Sequence, residues 1–337
     1  MSTDTRHRRT RFAALALIPI VATALAGCVA GENAPAGDTE TAGGTATTIR
    51  IDWATYNPLS IIIKEEGWLE DAGYDVEWTQ SLGSSAANEA LRSGSIDFGS
   101  TAGSAALLAR ANGVPQQVIE VVAQPEWAAI VAPEGSDIAS VADLEGQRVA
   151  AALGTDPYFF LVQALQEAGL SVDDVQVENL IHPDGWAALQ GGSVDAWAGL
   201  DPIMAAAEDA GATLVYRNLD FNSFSVLNAS ESIIESDPEL VQDVVDFYEQ
   251  ARVWALENPE GTAQLLAEAS AIEVPIAQKV IDEREGLDVS GVPGQQLLDV
   301  LAPIGAIQVE IGDVASQQQV DDALASLLAP QFAQAAG

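Results

Sequence analysis

The 337-residue chain sets 13 Lys and Arg against 50 Asp and Glu, a formal charge of −37 at pH 7. That balance argues against nucleic acid as a partner, because phosphate recognition needs a basic stripe and only nine Lys and Arg follow residue 27. With one cysteine, Cys28, no intrachain disulfide is possible. The charge reads as solubility at a surface, or in a salty habitat, and identifies no ligand by itself.

At the N-terminus Arg6, Arg8, Arg9 and Arg11 precede a 15-residue apolar run, Phe12 to Ala26. The run is too short to span a bilayer as a helix and suits the hydrophobic region of an export signal. It ends in Leu25-Ala26-Gly27-Cys28, which resembles the lipobox of bacterial lipoproteins. That resemblance implies removal of residues 1–27 and a lipid on Cys28; a soluble secreted protein cut nearby is the alternative. Arg8-Arg9 also raises twin-arginine export, although Arg11 displaces Phe12 by one place from the usual pattern. Residues 28–47 lack apolar periodicity and are rich in Gly, Ala, Thr and Pro, the composition of a flexible tether.

From Thr48 short apolar runs alternate with helical patterns. "TIRIDWA" reads as a strand, followed by one helix from Pro58 to about Glu70. "YDVEWTQ" and "IDFGS" are strands, "SAANEALRSG" and "AGSAALLARANG" helices, and "QVIEVVA" and "WAAIVAP" two further strands. The pattern restarts at "RVAAAL", with "PYFFLVQALQEAGL" as a helix and Pro157 in its first turn, and runs on to Tyr216. Past "FSVLN" the text is helical, with Asp237-Pro238 and Asn258-Pro259 as starts and Val241, Val244, Val245, Tyr248 and Ala251 on one face. Strand-helix alternation predicts an α/β fold in two lobes, each a mainly parallel sheet with flanking helices. Residues 48–132 and 217–337 make the first lobe with the C-terminal helices, and 133–216 the second. Two crossing segments between them permit hinge closure on a small ligand.

One phrase occurs twice. A-L-x-x-G-S-[I/V]-D begins at Ala90 and again at Ala188, 98 residues on. It reads as the same strand-entry unit used once per lobe, with Asp97 and Asp195 as structural turn residues. What could meet a ligand lies just downstream, since ligands of open α/β sheets sit at strand carboxyl ends near helix N-termini. Three junctions of small polar residues stand there: Thr101, Gly103 and Ser104; Gly154, Thr155, Asp156 and Tyr158; and Gly199 to Pro202. Free N–H groups and hydroxyls could hold an oxyanion between the first two. The competing reading is plain N-capping, and for Asp201 it is the stronger one. Among aromatics, Trp127 and Trp197 could wall an alkyl chain or cage a quaternary ammonium, and Tyr56-Asn57 follows the first strand as a ligand-facing pair.

Catalysis has little support. After residue 27 there is one histidine, His182, read as an ordinary loop residue, and two lysines, Lys64 and Lys279. No nucleophile motif, zinc motif or phosphate loop occurs, the carboxylates are dispersed rather than clustered for a metal, and no cofactor is implied.

Residues 49–285 resemble the substrate-binding proteins of ABC importers, in the branch for aliphatic sulfonates, taurine and nitrate. "ALRSGSIDFGSTAGSAALLARANG", "SVADLEGQRVA", "GTDPYFFLVQALQEAGL" and "GSVDAWAGLDPIMAAA" carry the resemblance, in that order. It implies a type II periplasmic-binding fold, a monomer outside the cytoplasm anchored through Cys28, and delivery to a permease with its ATPase. It also implies that Thr101 to Ser104 and Gly154 to Tyr158 hold an oxyanion head group, with residues 55–57 completing the pocket. The chain departs from the family in having Leu153 where many members carry Lys, "TAGSA" at the first junction, and no Lys in "ATYNPLS". A less cationic pocket admits a zwitterion such as taurine, a quaternary ammonium, a thiamine-pyrimidine-like solute or another neutral one. An enzyme on the same fold would need a reactive His or Lys in the cleft.

Overall fold

The computed structural model describes residues 47–336; the expected export signal, Cys28 and nearly all of the tether lie outside them. In the first half β1 (Thr48–Trp53), β2 (Asp75–Gln80), β3 (Phe98–Ala102) and β4 (Gln116–Ala123) alternate with α1 (Pro58–Glu66), α2 (Trp68–Asp71), α3 (Ser84–Ser93) and α4 (Gly103–Ala111). The single helix expected from Pro58 is two. Gly67 turns left-handed at φ 68° and its N–H closes on the carbonyls of Ile63 and Lys64, which ends α1.

The second half brings β5 (Ala128–Ala132), β6 (Arg148–Ala151), α5 (Asp156–Glu167), β7 (Gln176–Asn179), α6 (His182–Gln190), β8 (Ala196–Leu200), α7 (Ile203–Asp209) and β9 (Thr213–Arg217). After β10 (Ser225–Ser230) only helices follow: α8 (Glu231–Ser236), α9 (Pro238–Glu257), α10 (Pro259–Ser270), α11 (Val274–Glu283), α12 (Gln295–Glu310), α13 (Gln317–Ser326) and α14 (Gln331–Ala336).

Two five-stranded sheets result, ordered β2-β1-β3-β10-β4 and β7-β6-β8-β5-β9. They repeat one plan. Within each, three consecutive strands pair in parallel around the first of them, and one strand from across the molecule enters antiparallel: β10 in the first sheet, β5 in the second. The sheets are therefore mixed, with four strands of each running one way and one against them, which keeps the mainly parallel character expected. β5, expected with the first lobe, belongs to the second, so the chain crosses at residues 124–127 and not at Ala132. "AAIVA" is buried on both faces, and a strand without polar alternation carries no sequence mark of which sheet it joins.

The duplicated phrase folds the same way in both lobes. Arg50 on β1 holds Asp97 through Nε and Nη2 at 2.9 and 2.8 Å, and Arg148 on β6 holds Asp195 at 3.1 and 2.8 Å. Each aspartate N–H also donates to its arginine's own carbonyl. The repeat thus marks an Arg–Asp staple that pins the helix-to-strand turn.

α5 is buried on nearly every side from Asp156 to Leu165, as expected of a helix apolar all round. It contributes Phe159, Phe160 and Leu161 to a core that also takes Tyr56 and Ala105 from the first lobe and Ile304 and Ile307 from α12. Burying each of the Phe, Leu and Ile side chains stabilises the packed lobes by roughly 1.5–3 kcal/mol. α9 covers the first sheet with Val241, Val244, Val245, Tyr248 and Ala251. Its Arg252 is buried against Glu120 and the carbonyls of Val121, Val122 and Leu287. α11 reaches the second lobe, where Ala205 of α7 packs against Ala277 and Val280 and Arg284 bridges Asp201 and Glu208.

Candidate functional site

A cavity of about 180 Å³ lies between the lobes, bounded by the loop after β2 on one side and the loops after β6 and β7 on the other. Each loop opens a helix, so the N-termini of α3, α5 and α6 converge there. Their N-cap residues, Gly83, Thr155 and Ile181, make no side-chain cap bond, whereas Asn57, Asp237 and Asn258 cap their helices. First-turn N–H groups have no partner within a helix, and three sets of them with aligned dipoles favour a partial or full negative charge.

The rim is apolar. Leu82 of the first lobe and Leu153 and Ile181 of the second are 50%, 42% and 44% exposed around the opening. Ser85 Oγ donates to Leu153 O across the gap at 2.9 Å. Gly154 is left-handed at φ 71°, which the turn requires of glycine, and it faces Leu108 and Ser85 of the first lobe. Thr155 Oγ1 donates to Ala152 O at 2.6 Å, and Asn179 Oδ1 accepts from Leu153 N at 3.1 Å. Among the described residues no charged side chain lines the cavity. All nine Lys and Arg of the described residues are committed to ion pairs elsewhere.

His182 opens α6 at this cavity and is 2% exposed. Neither ring nitrogen has a hydrogen-bond partner among the described residues, and burial pushes its pKa down to about 4. Reading it as an ordinary loop residue missed it, because nothing local distinguishes His-Pro at a helix start from a turn. Lys64 and Lys279 do not line the cavity. No hydroxyl or carboxylate of the described residues bonds to His182.

The other candidates fall elsewhere. Asp156 gathers two of them, Ser104 and Trp127, around itself, together with Ser223. Its Oδ1 accepts from Ser104 Oγ at 2.6 Å and Ser223 Oγ at 2.7 Å, and its Oδ2 from Trp127 Nε1 and Ser223 N at 2.8 Å. Burial pushes the Asp156 carboxyl up, and bonds from Ser104, Ser223 and Trp127 pull it back. Four donors fit an ionised, acceptor-only carboxylate. Ser104, expected to hold a solute's oxyanion, and Trp127, expected to wall its tail, therefore hold an internal carboxylate, which ties α5 of the second lobe to α4 of the first.

Tyr56 stands edge-on to Trp127 at 6.2 Å and donates to Ser100 O. Asn57 caps α1 and donates to Ser100 Oγ, and Thr101 accepts from Asn228. Gly103 faces Leu297 and Leu301 of α12. Tyr158 packs on Phe159. Trp197 lies in the core behind β8, against Gly185 and Trp186, and not at the cavity. Asp201 caps α7 through Ala205 N and pairs with Arg284. Of the twelve, Thr155 lines the cavity and Gly154 shapes its wall.

A larger cavity, about 360 Å³, lies between α7 and α11. Of its charged residues, Glu208 and Lys279 already pair with each other, and Asp209 adds a further carboxylate. Among the described residues no group of three or more His, Cys, Asp or Glu is placed to hold a metal, and no helix is long and apolar enough to cross a membrane.

The family described as NMT1/THI5 like matches residues 59–262. A relative from Escherichia coli K12, named as an aliphatic sulfonates-binding protein, is 31% identical over 242 residues, covering 71% of this chain and 73% of its own length. The alkanesulfonate-binding protein SsuA of Xanthomonas axonopodis pv. citri, solved with MOPS, superposes with a TM-score of 0.76 at 24% identity over 82% of this chain and 97% of that one. The periplasmic aliphatic sulphonate binding protein SsuA of Escherichia coli gives a TM-score of 0.71 at 26% identity, with coverage of 82% and 97%. The two mixed sheets with flanking helices match the two-lobed periplasmic binding fold of these structures.

Proposed function

The chain belongs to the NMT1/THI5-like family, and from that premise we propose that it is the solute receptor of an ABC importer. It captures a small organosulfonate-type solute between its lobes and delivers it to a permease and ATPase. The observation that carries this reading is the cavity itself, where three uncapped helix N-termini meet under an apolar rim of Leu82, Leu153 and Ile181. N–H groups suit a compact oxyanion head and the rim suits a short alkyl tail. The reading adds an export signal and a lipid on Cys28, supported by the Leu25-to-Cys28 motif, and places the monomer outside the cytoplasm without a catalytic role.

With every Lys and Arg of the described residues already paired and the chain strongly negative, a simple anion is drawn by local dipoles. A zwitterion such as taurine avoids that repulsion and is the second reading. A calorimetric screen over alkanesulfonates, taurine, nitrate, betaines and pyrimidines tests both. Binding of a sulfonate is the expected result, and selective binding of a betaine or pyrimidine would replace the reading.

A further inference from the structure

The cavity's polar side chains are not equivalent. Ser85 and Thr155 both give their hydroxyl protons to backbone carbonyls, and Asn179 accepts from the backbone of Leu153. These three shape the loops. His182 alone is buried at the cavity with its full hydrogen-bonding capacity free, both Nδ1 and Nε2 lacking a partner among the described residues. An unsatisfied buried polar group is rare in native proteins and costs about 1–3 kcal/mol. A protein gains nothing structural from one at this position, where Leu or Phe would fill the same volume.

The backbone of the opposite lobe comes close to the ring. Nε2 faces Gly83, and a Cβ at that residue would come 3.4 Å from the nitrogen and 3.6 Å from Cδ2. A Cβ at residue 83 would make ordinary van der Waals contact with Nε2, so the glycine sets how much room the ring has on that side. His182 is the first residue of α6 and Gly83 the N-cap of α3, so ring and glycine come from opposite lobes and meet only where the lobes meet.

We infer that His182 is the specificity-determining contact of the inter-lobe site, its ring hydrogen-bonding the solute head group beside Gly83 when the lobes are together. This rests on the solute-receptor reading. Because burial holds the ring neutral, it presents one donor and one acceptor rather than a charge. It selects a head group by hydrogen-bonding pattern, which fits a site with no charged side chain among the described residues. A site built to bond a polar group rejects analogues lacking that group, because its own buried group is then left unpaired.

Calorimetry with pentanesulfonate and taurine on the full chain, alongside His182→Leu and His182→Gln, tests the inference. For whichever probe binds, His182→Leu should weaken affinity at least tenfold while the solute-free protein melts at the same or a higher temperature, since an unpaired polar group has been replaced by a fitting apolar one. His182→Gln, which keeps a donor and an acceptor, should recover much of the affinity. A merely structural histidine gives the opposite split, lower melting temperature with unchanged affinity, and that overturns the inference alone. If the wild type binds neither probe, the sulfonate reading falls and takes the inference with it.

Discussion

Replacing Asp156 with Ala should destabilise the protein by about 2–5 kcal/mol, the sum expected when several buried donors lose their acceptor at once. The hydroxyls of Ser104 and Ser223 can rotate toward each other, but the indole N–H of Trp127 and the N–H of Ser223 cannot. Among the described residues no Lys or Arg pairs with this carboxylate, and four hydrogen bonds hold it. Urea unfolding of Asp156→Ala measures the loss. A double-mutant cycle with Trp127→Phe should return a coupling of about 1–3 kcal/mol, in the range for bonds to charged groups. A loss below about 1 kcal/mol would mean that the carboxylate does not tie the lobes together.

A second large effect concerns pH. Asp52 on β1 is fully buried, with one oxygen accepting from Ser100 N at 2.8 Å and the other unpartnered. Burial pushes its pKa up to about 7, from an ordinary 3.8. A carboxyl raised in the folded state contributes stability that is complete below its unfolded pKa and is lost as pH rises through the folded value. Over that window the loss is about 4 kcal/mol, at 1.36 kcal/mol for each pKa unit. His182 acts in the opposite sense, since its lowered pKa makes it lose stability as pH falls from 6.5 toward about 4, so the wild-type slope alone does not report Asp52. The difference between Asp52→Asn and wild type does. The variant should gain about 4 kcal/mol on wild type at pH 8 relative to pH 4, read by urea unfolding at both. A difference independent of pH would show Asp52 ionised throughout.

The duplicated phrase made the two-lobed plan legible, because the same Arg–Asp staple needs the same residues at the same spacing in each lobe. The apolar faces of α5 and α9 were legible for a similar reason: helical periodicity records burial directly. β5 was not, since an all-apolar strand pairs with whichever sheet offers an edge. Around the site, sequence located the junctions but not the direction of their side chains. Alternation along β8 puts Trp197 on the face toward α6, away from the cavity, and no local pattern says which face is which. Asp156 was placed at the right junction, yet its four donors come from positions 104, 127 and 223, which only the fold brings together. His182 was missed because burial, not residue type or spacing, makes it unusual.

Hydrogen exchange of the full chain with and without the tightest-binding member of the sulfonate panel tests the central claim most directly. Capture between the lobes predicts slowed exchange at the first-turn amides of α3, α5 and α6, including Ser84, Ser85, Asp156 and His182, with little change at Ala205–Asp209 and Ile276–Lys279 around the larger cavity. Protection confined to α7 and α11, with the three helix starts unchanged, would contradict it.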